Sequence, residues 1–164
     1  MSALVFLVKG FVATLIIYSL NCIPAYAWEG HVTGVLDGDS LRVKRGSRVY
    51  EIRLYGIDSP EYGQFCWLEA RGLTRGLVLG KIVNIKPVDT DRYGRIVALV
   101  WQQGQLVNSE LVRNGLAWVY PRYCQTQPLC SDMELLEEAA QKRGLGLWHK
   151  KSPMAPWLWR QIKY

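Results

Sequence analysis

The stretch Arg53-Leu-Tyr-Gly-Ile-Asp-Ser-Pro-Glu61 sets one guanidinium and two carboxylates around an apolar run. Its Asp-Ser-Pro centre is good turn chemistry and by itself needs no function. Two other short segments carry related groups. Asp37-Gly38-Asp39 reads as a hairpin turn, and Arg95 follows the turn Asp91-Arg92-Tyr93-Gly94. Each segment alone has a plain reading. The Asp-Gly-Asp turn lacks the rest of an EF-hand loop, and an arginine on a strand usually faces solvent. Together they form a set. Asp39 and Asp58 offer hard oxygen ligands to a divalent cation. Glu61, three residues past Asp58, can accept a proton from a water. Arg53 and Arg95 can grip a phosphate and offset the charge that develops on it. Metal-assisted hydrolysis of a phosphodiester requires this equipment.

Strands and turns must bring these groups together. "HVTGVL", "SLRVK" and "VYEIRLYGI" alternate apolar and polar residues and read as three antiparallel strands joined by turns at Asp37-Gly38 and Arg45-Gly46-Ser47. "QFCWLEARGLTRGLVLG" has helical apolar spacing despite Gly72 and Gly76. "KIVNIKPV" and "RIVALVWQ" are two further strands. "QLVNSELVRNG" is a short helix with Gly115 as its C-terminal stop, and "LAWVY" is briefly extended. "SDMELLEEAAQKRG" is a helix with Ser131 or Asp132 as N-cap. Five strands with a helix between the third and fourth predict an α+β fold, mainly β. It is a five-stranded OB-fold Greek-key barrel with about three helices.

The chain has 164 residues and a formal net charge of +6. That length suits one core and one domain. A basic chain with seven Trp and nine Tyr is compatible with nucleic acid, an anionic surface or an acidic polymer. Residues 1–27 read as a signal peptide: an apolar run from about Phe11 to Leu20, then Ala25-Tyr-Ala27 as a cleavage site. An uncleaved membrane anchor is the alternative. Removing Lys9 with this leader lowers the charge from +6 to +5. Residues 28–150 form the expected domain, and 151–164 a tail rich in Pro and Trp that is expected to pack on it. Export implies an oxidising compartment, and a disulfide is expected between Cys124 and Cys130. Cys66 is either a buried free thiol or a competitor for one of those two. Zinc is not expected, because no paired CxxC occurs and His31 and His149 are remote from the cysteines. Trp118 and Trp148 read as core, and Glu134, Glu137 and Glu138 as a solvated helix face.

"VLDGDSLRV", "IRLYGIDSPE" and "DRYGR", in that order and spacing, resemble the staphylococcal nuclease (thermonuclease) family. "NSELVRNGLAWVY" and "EEAAQKRGLGLW" are similar to its later helical segments, so the resemblance covers about His31 to Trp148. It implies an OB barrel with helices and a calcium-dependent phosphodiesterase acting on DNA and RNA. Asp39, Asp58 and the Ser59 backbone carbonyl are similar to the ligands of one Ca2+ ion. Glu61 matches the general base, Arg53 and Arg95 the phosphate-binding arginines, and Asp37 a supporting carboxylate. Arg92 and Tyr93 match positions that touch a neighbouring phosphate or nucleotide. Ser40 stands where the family often has Thr. The segment "VYPRYCQTQPLC" departs from the family's spacing. Tyr120 and Tyr123 are the candidates there for stacking on bases, with simple packing as the alternative. The ligand set alone also admits magnesium or manganese.

An exported, monomeric nuclease of low sequence specificity is the leading expectation, with no obligate protein partner. A non-cutting OB module that binds nucleic acid is a second reading, though none of the carboxylates or arginines of the set is missing. An envelope-anchored interaction domain, using the Trp-rich tail and a retained leader, is a third.

Overall fold

The computed structural model describes residues 26–163. The leader up to Pro24 and Ala25, with Lys9 and Cys22, lies outside the described residues. The strands are β1 (Trp28–Val35), β2 (Ser40–Arg45), β3 (Arg48–Leu54), β4 (Ile57–Asp58), β5 (Ile82–Thr90), β6 (Ile96–Gln102), β7 (Gln105–Leu106) and β8 (Trp118–Val119). The helices are α1 (Trp67–Val78), α2 (Val107–Arg113), α3 (Leu129–Lys142) and α4 (Pro156–Lys163), with a 3-10 turn at Gly146–His149. Among the described residues no helix is long and apolar enough to cross a membrane.

Five strands run in the order β3-β2-β1-β5-β6, and β3 also pairs with β6 in parallel. That last pairing closes the sheet into a barrel and removes its edges. The fold is the expected five-stranded OB-type barrel, α+β and mainly β. Alternation along the strands sends Val32, Leu41, Val43, Ile52, Ile85 and Val100 into the interior, each 1% exposed or less. Each such side chain contributes roughly 1.5–3 kcal/mol through burial. Asn108 of α2 is a buried polar pin. Its amide donates to the carbonyl oxygens of Tyr55 (2.9 Å) and Ala98 (3.3 Å), and its side-chain oxygen accepts from Val100 N–H (3.1 Å). Unpaired, these groups would carry a desolvation penalty; paired, they fix α2 on the barrel.

The elements differ from the sequence expectation in several places; in one, Gln105–Leu106, expected to open a helix, forms β7, and α2 starts at Val107. β1 begins at Trp28 rather than His31, because Trp28, Gly30 and Val32 all face inward before a bulge between Val32 and Gly34. The third strand does not run through to Ile57. Gly56 has φ +75° and breaks it, and a Cβ there would lie 2.7 Å from Cys124 Sγ. The two residues beyond form β4, paired antiparallel with β8. Helix α3 starts at Leu129, so neither Ser131 nor Asp132 is its N-cap; instead the Gln127 side chain accepts from Ser131 N–H and Oγ–H within the first turn. Finally, the Pro/Trp-rich tail contains a fourth helix, α4, packed on the domain. Cys124 and Cys130 are joined as a disulfide just before and within the first turn of α3. Cys66 is free and buried, and burial, with the Glu69 charge beside it, pushes its thiol up to about 11.

Candidate active site at one end of the barrel

Three turns converge at one end of the barrel. The β1–β2 turn carries Asp37 and Asp39. The chain leaving β3 carries Arg53, then Asp58, Ser59 and Glu61. The β5–β6 turn carries Arg92, Tyr93 and Arg95. Strand register explains the meeting. Ser40 on β2 lies opposite Arg53 on β3, and Arg53 lies opposite Val97 on β6, two residues past Arg95. The Leu54 N–H donates to the Asp39 carbonyl at 2.8 Å, which holds the first turn against the end of β3.

Glycine 38 allows the acidic turns to touch. A Cβ at Gly38 would lie 2.7 Å from both Cβ and Oγ of Ser59 and 2.9 Å from Cβ of Ala70. The Ser59 N–H donates to Asp39 Oδ2 at 2.5 Å, joining the two turns. Helix α1 braces the first turn from behind, since Thr74 Oγ–H donates to the Gly38 carbonyl at 2.6 Å. The Asp37 carboxylate accepts from Asp39 N–H at 3.0 Å and shapes the turn.

Asp39 and Asp58 are buried, at 1% and 0% exposure. Buried carboxylates require partners. Arg53 provides one: its guanidinium pairs with Asp39 through Nη1 and with Asp58 Oδ1 through Nη2 at 2.5 Å, and it donates to the Ile57 carbonyl at 3.2 Å. Glu61 lies at the mouth, its side chain 35% exposed. Arg95 stands on the other side. Its Nε donates to Asp91 Oδ2 at 2.7 Å, its Nη1 lies 3.5 Å from Ser40 Oγ, and Ser40 Oγ–H donates to Asp39 Oδ1 at 3.2 Å. Arg95 thus reaches the same centre through Ser40 while keeping guanidinium donors open.

Tyr93 is 69% exposed, with Arg92 donating to its hydroxyl at 2.7 Å. Tyr120 stacks on Trp157 with ring centres 4.5 Å apart and planes 10° from parallel, so one of its faces is covered. Tyr123 meets Tyr120 edge-on at 4.8 Å and remains exposed. Trp118 and Trp148, both expected in the core, are only half-buried, and Trp118 is wedged edge-on between Trp148 and Trp157.

Three groups escaped sequence reasoning. Asp91 grips Arg95 through side chain and backbone. Burial alone would raise its carboxyl, but the hydrogen bonds and charge of Arg95 hold it below the usual value. Its only sequence signal is a spacing of four residues to Arg95. Glu137 does not belong to a solvated face: its Oε1 accepts the Val119 N–H at 2.9 Å, supporting β8 behind β4. Burial pushes its carboxyl up, and the Glu134 charge adds to this. Arg160 of α4 donates from Nη2 to Asp58 Oδ2 at 2.8 Å and from Nη1 to Glu61 Oε1 at 2.5 Å. Burial opposes its charge, but the two carboxylates outweigh that and hold it firmly protonated. No local motif announces it.

Three carboxylates, Asp39, Asp58 and Glu61, therefore face two guanidiniums, those of Arg53 and Arg160. The acceptor atoms of the cluster are all carboxylate oxygens, the ligand type that suits a hard divalent cation. Among the described residues, no three Asp, Glu, His or Cys side chains form a complete metal cage. Two carboxylates would share a cation with backbone oxygen and water, a common arrangement for hard ions.

A model of the family described as staphylococcal nuclease homologue matches residues 51–150. An uncharacterized endonuclease of Escherichia coli is 38% identical over 136 residues, covering 82% of this chain and 86% of the relative. A micrococcal nuclease of Shigella flexneri is 34% identical over 149 residues, covering 85% and 84%. An uncharacterized endonuclease of Haemophilus influenzae is 34% identical over 131 residues, covering 79% and 71%. The barrel topology, the three converging turns and these likenesses agree: the chain belongs to the staphylococcal nuclease homologue family.

Proposed function

We propose that this protein is a nuclease that hydrolyses phosphodiester bonds of DNA and RNA with low sequence specificity. One observation carries the reading: three separate turns bring Asp39, Asp58, Glu61, Arg53 and Arg95 to one end of the barrel. The named relatives, two endonucleases and a micrococcal nuclease, support it.

Asp39, Asp58 and the Ser59 carbonyl would hold the divalent cation, calcium by family resemblance. When bound, that ion supplies a Lewis acid against a phosphate oxygen. The protein's own residues do the rest. Glu61 accepts a proton from the attacking water, because it is the carboxylate of the set that is open to solvent. Arg53 and Arg95 present planar forks to the phosphate oxygens and stabilise the charge of the pentacovalent state. Arg95 is prepared for this, since Asp91 takes its Nε while its Nη1 lies 3.5 Å from Ser40 Oγ at the site. Asp37 holds the turn that presents Asp39. Arg92 and Tyr93, exposed on the turn that carries Arg95, would meet a neighbouring phosphate and base. Tyr123, which remains exposed with Tyr120 packed against it, offers a stacking surface that tolerates any base.

Export accompanies this reading. The leader pattern in residues 1–27 supports it, as does the Cys124–Cys130 disulfide, a bond favoured in oxidising compartments. The domain is expected to act as a monomer. Incubation of the protein lacking residues 1–27 with denatured DNA and with RNA tests the activity. Degradation in calcium that stops on chelation is expected. No cleavage across calcium, magnesium and manganese, combined with salt-sensitive binding, would instead mark a binding module.

A further inference from the structure

Helix α4 lies beyond the family match, which ends at residue 150, yet its Arg160 enters the site. A closed circuit of contacts places it there. Strand β4 carries Asp58 and pairs with β8, with Asp58 opposite Trp118. Trp118 packs edge-on against Trp157 of α4 at 5.9 Å, and Tyr120, just past β8, stacks on the same ring at 4.5 Å. Three residues along the helix, Arg160 returns to Asp58 and Glu61. A second tie runs beside it. Gln64 accepts from the Glu61 N–H at 3.0 Å and donates to the Met154 carbonyl at 2.6 Å. Lys163 adds a third, donating to the Tyr62 carbonyl at 3.3 Å. The loop bearing Glu61 is therefore held by the C-terminal segment both through its backbone and through its carboxylate.

The chemistry gives this a purpose. Glu61 follows a Pro in a loop and is part-exposed, so its carboxylate has rotamers to lose. A general base must stand within hydrogen-bond reach of its water, and small misplacements are costly. A guanidinium bound to Glu61 through one nitrogen and to Asp58 through both locks the two carboxylates in fixed relation. Resting on the nuclease reading above, we propose that Arg160 is a positioning residue of the reaction, fixing Glu61 against Asp58, and that α4 is part of the active site.

The test compares wild type with Arg160→Ala, Arg160→Lys and Trp157→Ala. It measures kcat and KM on denatured DNA, binding of terbium(III) as a hard-ion probe by its luminescence, and thermal melting as a check of folding. Arg160→Ala is expected to lower kcat by about 10- to 100-fold, the usual effect of losing a partner that orients a site ligand. KM should stay near wild type, and terbium should bind no more weakly, because Asp58 keeps Arg53 as its partner and loses only a competing charge. Millimolar guanidinium should restore part of the lost rate in Arg160→Ala and none in wild type. Arg160→Lys should recover only part, since it keeps the charge without the fork. Trp157→Ala should reproduce the loss by undocking α4. Unchanged kcat in folded Arg160→Ala would overturn the proposal. So would faster cleavage with tighter terbium binding, which would make Arg160 a plug that competes with the cation. A raised KM with unchanged kcat would make it a substrate grip instead, and would overturn it too. If wild type itself does not cleave in the same assay, the nuclease reading fails, and this proposal with it.

Discussion

The Asp91 carboxylate binds Arg95 twice, accepting from Nε at 2.7 Å and from the backbone N–H at 3.0 Å. It also accepts from the Tyr93 N–H at 2.9 Å, so one side chain sets the shape of the whole turn. The arginine proposed to meet a phosphate is thereby aimed before any substrate arrives. Such preorganisation avoids paying for orientation at the moment of reaction.

Replacing Asp91 with Asn should therefore lower the cleavage rate, by up to about a hundredfold if the Arg95 fork shifts by an ångström. It should also change stability with a definite pH sign. The Asp91 carboxyl lies below its ordinary 3.8 in the folded state, so its contribution is present above that value and is lost as pH falls through the lowered one. The stability gap between wild type and Asp91→Asn, read by urea denaturation, should close in acid. A gap independent of pH would contradict this account of Asp91.

The Gly38 position tests how closely the acidic turns must approach. A methyl group there would press on Ser59 and on Ala70 of α1. Gly38→Ala should destabilise the protein by about 1–3 kcal/mol, as overpacking does, and should weaken cation binding by parting Asp39 from Ser59. Urea midpoints and terbium titration measure the two effects. Unaltered values for both would show that the turns have room to spare.

Glu137 gives a prediction of opposite pH sign. Its folded carboxyl is raised above its ordinary 4.5 by burial and by Glu134. The folded protein then keeps a proton that the unfolded chain has lost, so stability falls as pH rises through the window above 4.5. Glu137→Gln should remove that slope while its amide oxygen still accepts the Val119 N–H. Measured against wild type at about pH 4 and about pH 7, the variant should gain relative stability at the higher value. A variant that loses relative stability as pH rises would contradict the raised carboxyl.

These sites also show where sequence is informative. Asp39, Arg53, Asp58, Glu61 and Arg95 each sit in or beside a turn whose own residues announce it, and alternation in the flanking strands implies that the turns share one end of a barrel. The break between β3 and β4 was less visible, because Gly56 is needed for its positive φ and for the approach of Cys124, a residue 68 positions later. Glu137 looked like any acidic residue on an amphipathic helix until tertiary packing set β8 beside it. Arg160 is separated from Glu61 by 99 residues, and tertiary docking of the C-terminal segment, with Trp157 stacked on Tyr120, brings the two together. Local pattern reveals groups that lie in their own turn; it is silent on groups delivered by packing.

This end of the barrel is proposed to hydrolyse phosphodiesters with Glu61 as the base. Single-turnover cleavage of denatured DNA in saturating calcium, by wild type and Glu61→Gln side by side, tests it most directly. Chelator-sensitive cleavage by wild type is expected, with a rate lower by about a hundredfold or more in a Glu61→Gln protein that melts normally. Equal rates in the two proteins would contradict it.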